Sequence, residues 1–133
     1  MDGIKITKQN PVSVDRGEVY EWCRGIESRQ ITVYYRNKSE YSGNHYHKGD
    51  DPSKNPERFF LVSGRMRLDA YDGRSRMEEI IEQKTEVIIA PGILHTFLVE
   101  EDSVFIEHRA TEFNRNHSDT YPADTYEEYL RSR

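Results

Sequence analysis

Short apolar runs alternate with clusters of Gly, Asp, Asn and Pro along almost the whole chain. Within the runs, apolar and polar residues tend to alternate. That period predicts half-buried strands, because successive side chains of a strand point to opposite faces. Strands are predicted at residues 4–7, 18–23, 30–36, 44–47, 58–62, 65–71, 77–82, 86–89, 94–99 and 103–109. Asp72-Gly73 has the chemistry of a hairpin turn, and Gly64 marks a tight connection or bend. Helical spacing appears only at the end. Tyr126, Tyr129 and Leu130 stand three and four apart, with Asp124 or Thr125 as cap and Glu127 and Glu128 in the first turn. Many short strands and one terminal helix predict an all-β barrel or sandwich in a single domain over residues 1–133. Residues 1–14 read as an N-terminal arm, and residues 112–133 as a tail carrying the helix. Residues 48–56 hold turn formers and charges but no apolar residue, and predict an inserted surface loop.

Composition narrows the class. Charged residues make up 32% and hydrophobic ones 35%, which predicts a small core beneath a charged surface. Aromatics at 11% argue against disorder. A net charge of −5 lacks the basic stripe that a phosphate backbone requires, so nucleic acid is not expected as a partner. No run reaches the roughly 18 apolar residues of a membrane span, and the N-terminus has no apolar signal-peptide core. Cys23 is alone, which rules out an intrachain disulfide and suits a core or near-core position. A cytoplasmic protein is expected.

Candidate chemistry centres on histidine. His45 and His47 are separated by one residue, so a strand would turn both imidazoles to one face as a metal clamp. Glu57 shares strand parity with Phe59 and Leu61, and a carboxylate on an apolar face needs a cation. His95 shares parity with Phe97 and Val99. Each alone fits an ordinary core or surface residue; together, three His and one Glu on inward faces predict one metal site. His108 lies in a run whose inward face the pattern leaves open, and His117 in a polar tail is given no role.

Gly43-Asn44-His45-Tyr46-His47, followed by Glu57, six residues and Gly64, resembles the first cupin motif. Pro91-Gly92-Ile93-Leu94-His95 resembles the second, which carries the fourth ligand. Nine residues separate His47 from Glu57, more than the family's usual three or four, and the second motif lacks one residue between Pro and Gly. The resemblance spans roughly residues 15–121. It implies a double-stranded β-helix, or jelly-roll, barrel holding one divalent metal, with Zn the first choice and Fe, Mn or Ni as others, bound by His45, His47, Glu57 and His95. It also implies a homodimer joined through the arm around residues 4–7.

Finer patterns point within the family. Asp15-Arg16-Gly17-Glu18-Val19-Tyr20-Glu21 resembles a stretch of dTDP-4-dehydrorhamnose 3,5-epimerases, and residues 43–47 and 113–121 resemble capsular-polysaccharide epimerase cupin domains. Ser42 stands where those epimerases carry an arginine. The likeness implies an epimerase or ketoisomerase acting on a nucleotide-activated 4-keto sugar in polysaccharide biosynthesis. Such chemistry needs a base, an acid and stabilisation of an enolate oxygen. His45, His47, Tyr34 and His108 are the catalytic candidates, with Tyr35 as a further base. Gln30, Thr32, Tyr35 and Arg58 are the substrate-facing ones, and Arg29, Arg65 or Arg67 are alternatives for a diphosphate. A metal-dependent dioxygenase and a non-catalytic metal- or sugar-binding module are the competing readings.

Overall fold

The computed structural model describes residues 1–133, with the side chain of His117 outside the described set. Eight strands and one helix follow in the order β1 (Ile4–Lys8), β2 (Gln30–Arg36), β3 (Tyr41–Tyr46), β4 (Glu57–Tyr71), β5 (Arg76–Glu82), β6 (Thr85–Ile89), β7 (Leu94–Arg109), β8 (Tyr121–Pro122) and α1 (Tyr126–Arg131). The expected pairs 58–62 with 65–71, and 94–99 with 103–109, each fuse into one long strand. Their pairing slips between Leu61 and Met66. Gly64 sits there with φ +97, and a Cβ on it would collide with Ser103 and the carbonyl oxygen of Asp102. β4 and β7 therefore bend together, and each serves two layers.

The registers define those layers. One runs β1-β6-β4-β7-β2, using the first half of β4 and the second half of β7. The other runs β5-β4-β7-β3-β8, using the remaining halves. All pairs are antiparallel, and the hydrogen-bonded path is one sheet that does not close on itself. Leu61, Met66, Leu68, Ile81, Val87, Phe97 and Phe105 fill the space between the layers. Burying such side chains contributes roughly 1.5–3 kcal/mol each. Glu57 and Arg109 end their strands in one layer, while His45 and His95 pair in the other. Both groups lie away from the bend, so they share the opposite end of the sandwich.

Residues 18–23 do not form a strand; the backbone pairing there is limited to isolated bridges at Ser13–Val19 and Asp15–Gly17. Their alternation has another cause. Tyr20 and Trp22 pack on Phe60 at 6.0 and 5.7 Å, and the Trp22 indole donates to Glu86 at 2.5 Å. This segment covers the outer face of the first layer. Cys23 is half-buried there, and burial pushes its thiol up to about 11. The helix α1 serves the second layer. Tyr46 packs against Tyr126 and Tyr129 at 4.9 Å each, and the Tyr126 hydroxyl donates to the Gly92 carbonyl at 2.6 Å. Among the described residues, no helix is long and apolar enough to cross a membrane.

Candidate functional site

Four side chains from three segments converge at the end of the sandwich away from the Gly64 bend. β3 carries His45 and leads into His47, β4 opens with Glu57, and β7 opens with Leu94 and His95. Strand alternation turns Tyr46 towards α1 and the two histidines on either side of it inwards. β3 is bulged at Gly43 and Asn44, which have φ +97 and +63, and the bulge sets His45 directly across from His95. A Cβ at Gly43 would stand 2.8 Å from the His95 carbonyl oxygen, so a side chain there would separate the two strands. The ligand atoms of His45, His47, Glu57 and His95 all lie within 4.8 Å of one another.

The ring nitrogens are oriented by backbone carbonyls. His47 Nδ1 donates to Asp119 O at 2.6 Å, and His95 Nδ1 donates to Ile93 O at 2.9 Å. A carbonyl only accepts, so both Nδ1 atoms carry hydrogen, and Nε2, the nitrogen that bears the lone pair in that tautomer, points inwards in both rings. Those lone pairs face Glu57 Oε1 at 2.9 and 3.0 Å. None of the three atoms has a hydrogen bond of good geometry, and all are buried. Three electron-rich atoms so close require a positive centre between them, a proton or a metal ion. Carbonyl-oriented histidines beside a carboxylate are the donor set that a divalent transition metal uses. Burial, together with His95 and His47, lowers His45 to about 3, which leaves it neutral and able to ligate. Burial would raise Glu57, but the adjacent His95 and His47 hold its carboxyl well below the usual range. Burial disfavours charge on His95, and Glu57 overrides it and raises its pKa.

A cavity of about 310 Å³ opens beside the cluster and is lined also by Tyr34, Lys54, Phe59, Glu107, Arg109 and Phe113. The Tyr34 hydroxyl donates to Glu107 Oε1 at 2.8 Å, and Arg109 Nη2 donates to the same oxygen at 2.9 Å. Burial and the nearby Glu57 push Glu107 up to about 8, against the pull of Arg109. Burial and Glu107 raise Tyr34 as well. Tyr34 therefore stands in the cavity, but several other sequence candidates do not. Tyr35 lies on the opposite face of β2 and is 74% exposed. His108 faces away from the cavity, donating from Nε2 to Glu27 O at 2.9 Å beside Trp22. Arg58 pairs with His108 and shares its outward side. Gln30 and Thr32 share the half-buried face of β2 with Tyr34 but are not among the residues lining the cavity; they bond to each other at 3.1 Å, and Gln30 accepts from the Phe113 amide at 3.0 Å.

Glu107, Arg109 and Lys54 were not among the expected site residues. Glu107 and Arg109 share parity with Phe105, the same signal that marks Glu57, once the inward face of β7 is known. Lys54 carries no such signal. It sits in the 48–56 segment, expected at the surface, yet is 6% exposed. A single 3-10 turn at Pro52–Lys54 and the tail around Ser118 and Thr120 hold it inside.

No family model matches the sequence, and no curated protein does. Solved structures do match. A variant of the 3,4-ketoisomerase QdtA from Thermoanaerobacterium thermosaccharolyticum, in complex with TDP-4-keto-6-deoxyglucose, superposes with a TM-score of 0.77 at 12% identity, covering 100% of this chain and 97% of that one. A 3,4-ketoisomerase from Helicobacter canadensis gives a TM-score of 0.75 at 21% identity, covering 99% and 97%. The chain has the cupin fold. The capsular polysaccharide assembling protein CapF from Staphylococcus aureus gives a TM-score of 0.60 at 25% identity, covering 73% of this chain and 27% of that longer one.

Proposed function

We infer that this cupin is an isomerase, a 3,4-ketoisomerase or epimerase, acting on a nucleotide-activated 4-keto sugar. The observation that carries the reading is the shared cavity. A four-ligand cluster, a Tyr34–Glu107 hydrogen-bonded pair and two cationic side chains line one space of about 310 Å³. The likeness to ketoisomerases over the full chain supports the substrate class.

The division of labour follows from the geometry. His45, His47, Glu57 and His95 hold a divalent metal, with Zn the first choice. Such an ion supplies Lewis-acid stabilisation of an enolate or carbonyl oxygen. Imidazole nitrogens engaged as ligands cannot also take a proton. The proton carrier in this reading is therefore the Tyr34–Glu107 pair, not a histidine. Ketoisomerisation removes a proton from C3 and returns one to C4 while the hydroxyl proton passes from O3 to O4; epimerisation returns a proton to the opposite face of the carbon it left. Phe59 and Phe97 close the apolar side of the cavity and keep bulk water from the reacting carbon.

The test is isotope exchange. The protein is incubated in deuterated water with TDP- and UDP-linked 4-keto-6-deoxy sugars and the products are read by mass spectrometry and NMR. Deuterium at C4, the original carbonyl carbon, is the expected mark of ketoisomerisation, and deuterium at C3 or C5 that of epimerisation. No incorporation with either nucleotide removes the isomerase reading.

A further inference from the structure

Two cations line the cavity beyond the ligand cluster, and neither is fully satisfied by the protein. Arg109 is 6% exposed and sits on the inward face of β7 with Glu107 and Phe105. Only its Nη2 is engaged, with Glu107; Nε and Nη1 are buried with no hydrogen-bond partner. Lys54 is also 6% exposed. Its ammonium meets hydroxyl oxygens, Thr120 Oγ1 at 2.5 Å and Ser118 Oγ at 3.4 Å, and pairs with no carboxylate among the described residues. The Phe113 ring is shared by both, its centroid 4.4 Å from Lys54 Nζ and 4.9 Å from Arg109 Cζ.

Buried cationic donors without acceptors are costly, and a fold retains them where a ligand supplies the acceptors. Their placement also runs against the whole molecule. The chain carries a net charge of −5, yet two cations stand together around Phe113 in this recess, beside Glu107 and Glu57, with Arg109 pairing to Glu107 through Nη2 alone. We propose that Arg109 and Lys54 form an oxyanion-binding subsite beside the four-ligand cluster, receiving a phosphate or carboxylate group of the ligand. For the ligand's identity this rests on the sugar-nucleotide reading. The oxyanion has two possible sources, the nucleotide's phosphate or a carboxylate on the sugar. Guanidinium and ammonium groups bind both through charge-assisted hydrogen bonds.

Calorimetric titration of the full chain separates the cases, using TDP, UDP-glucose and UDP-glucuronate against the parent, Lys54→Met and Arg109→Met. Lys54→Met removes an ammonium held only by hydroxyls and an aromatic ring, so it keeps the test open if Arg109→Met fails to fold. Binding weakened about tenfold or more in a folded variant is expected. Equal weakening for all three probes identifies the phosphate as the source. A parent preference for UDP-glucuronate over UDP-glucose that the variants erase, with TDP unaffected, identifies the carboxylate. Equal affinity of the parent and the folded variants for every probe, or no binding of any probe by the parent, overturns the subsite. Weakened binding in the variants without deuterium exchange by the parent leaves the subsite standing and removes the isomerase reading. Exchange with unaltered variant affinities does the reverse.

Discussion

His47 and His95 show how a single hydrogen bond sets chemistry. Each commits Nδ1 to a carbonyl and so leaves Nε2 for the cavity. Glu57 then stands 2.9 and 3.0 Å from two lone pairs, a grouping that a bound cation relieves. Elemental analysis of dialysed parent protein is expected to return about one divalent ion per chain, and His95→Ala or Glu57→Gln well below that. Equal metal in the parent and both variants would remove the centre. At this scale, the convergence of His45, His47, Glu57 and His95 was legible because each sits on an apolar strand face where an unpaired polar group is expensive. Glu107 and Arg109 obey the same rule, but the alternation in residues 103–109 puts apolar residues on both faces, Phe105 on one and Ile106 on the other, and leaves the inward one undecided. His108, on the face of Ile106, turned out to point away.

The 48–56 segment is held by the tail. The Asp119 carboxylate accepts from the amides of Lys48, Gly49, Asp50 and Asp51 at 2.8–3.2 Å, while its carbonyl orients His47. Burial would raise the Asp119 carboxyl, but those amides pull it below the ordinary value. A lowered folded pKa means that the stabilisation is fully present above the unfolded Asp value near 3.9 and is lost as pH falls through the folded value. Asp119→Ala is expected to cost roughly 2–4 kcal/mol at pH 7. Denaturant titrations at pH 7 and pH 3 should show the gap between parent and variant narrowing in acid; an unchanged gap would count against the anchor. Residues 18–23 teach the opposite lesson at this scale. Their alternation reports side chains seated on Phe60, and their backbone pairing goes no further than the isolated Ser13–Val19 bridge.

For the whole molecule, the bend at Gly64 is what turns two long strands into two layers. Gly64→Val forces a Cβ into Ser103 at a positive φ, and is expected to destabilise the fold by about 3 kcal/mol or more. It should also release metal, since Glu57 and His95 face one another only while the layers fold over. A variant with unchanged melting temperature and metal content would show the bend to be set elsewhere.

The sequence by itself determined most strand positions, residues 18–23 excepted, the inward parity of His45, His47, Glu57 and His95, and the glycines that permit close approach, because alternation and positive φ are local properties of the chain. It could not determine which strands share an edge, which face of β7 looks inward, or that a loop lysine enters the cavity. Those depend on contacts between segments far apart in the chain, among them Lys54 with Thr120 and Tyr34 with Glu107, and only the closing of one layer over the other decided them.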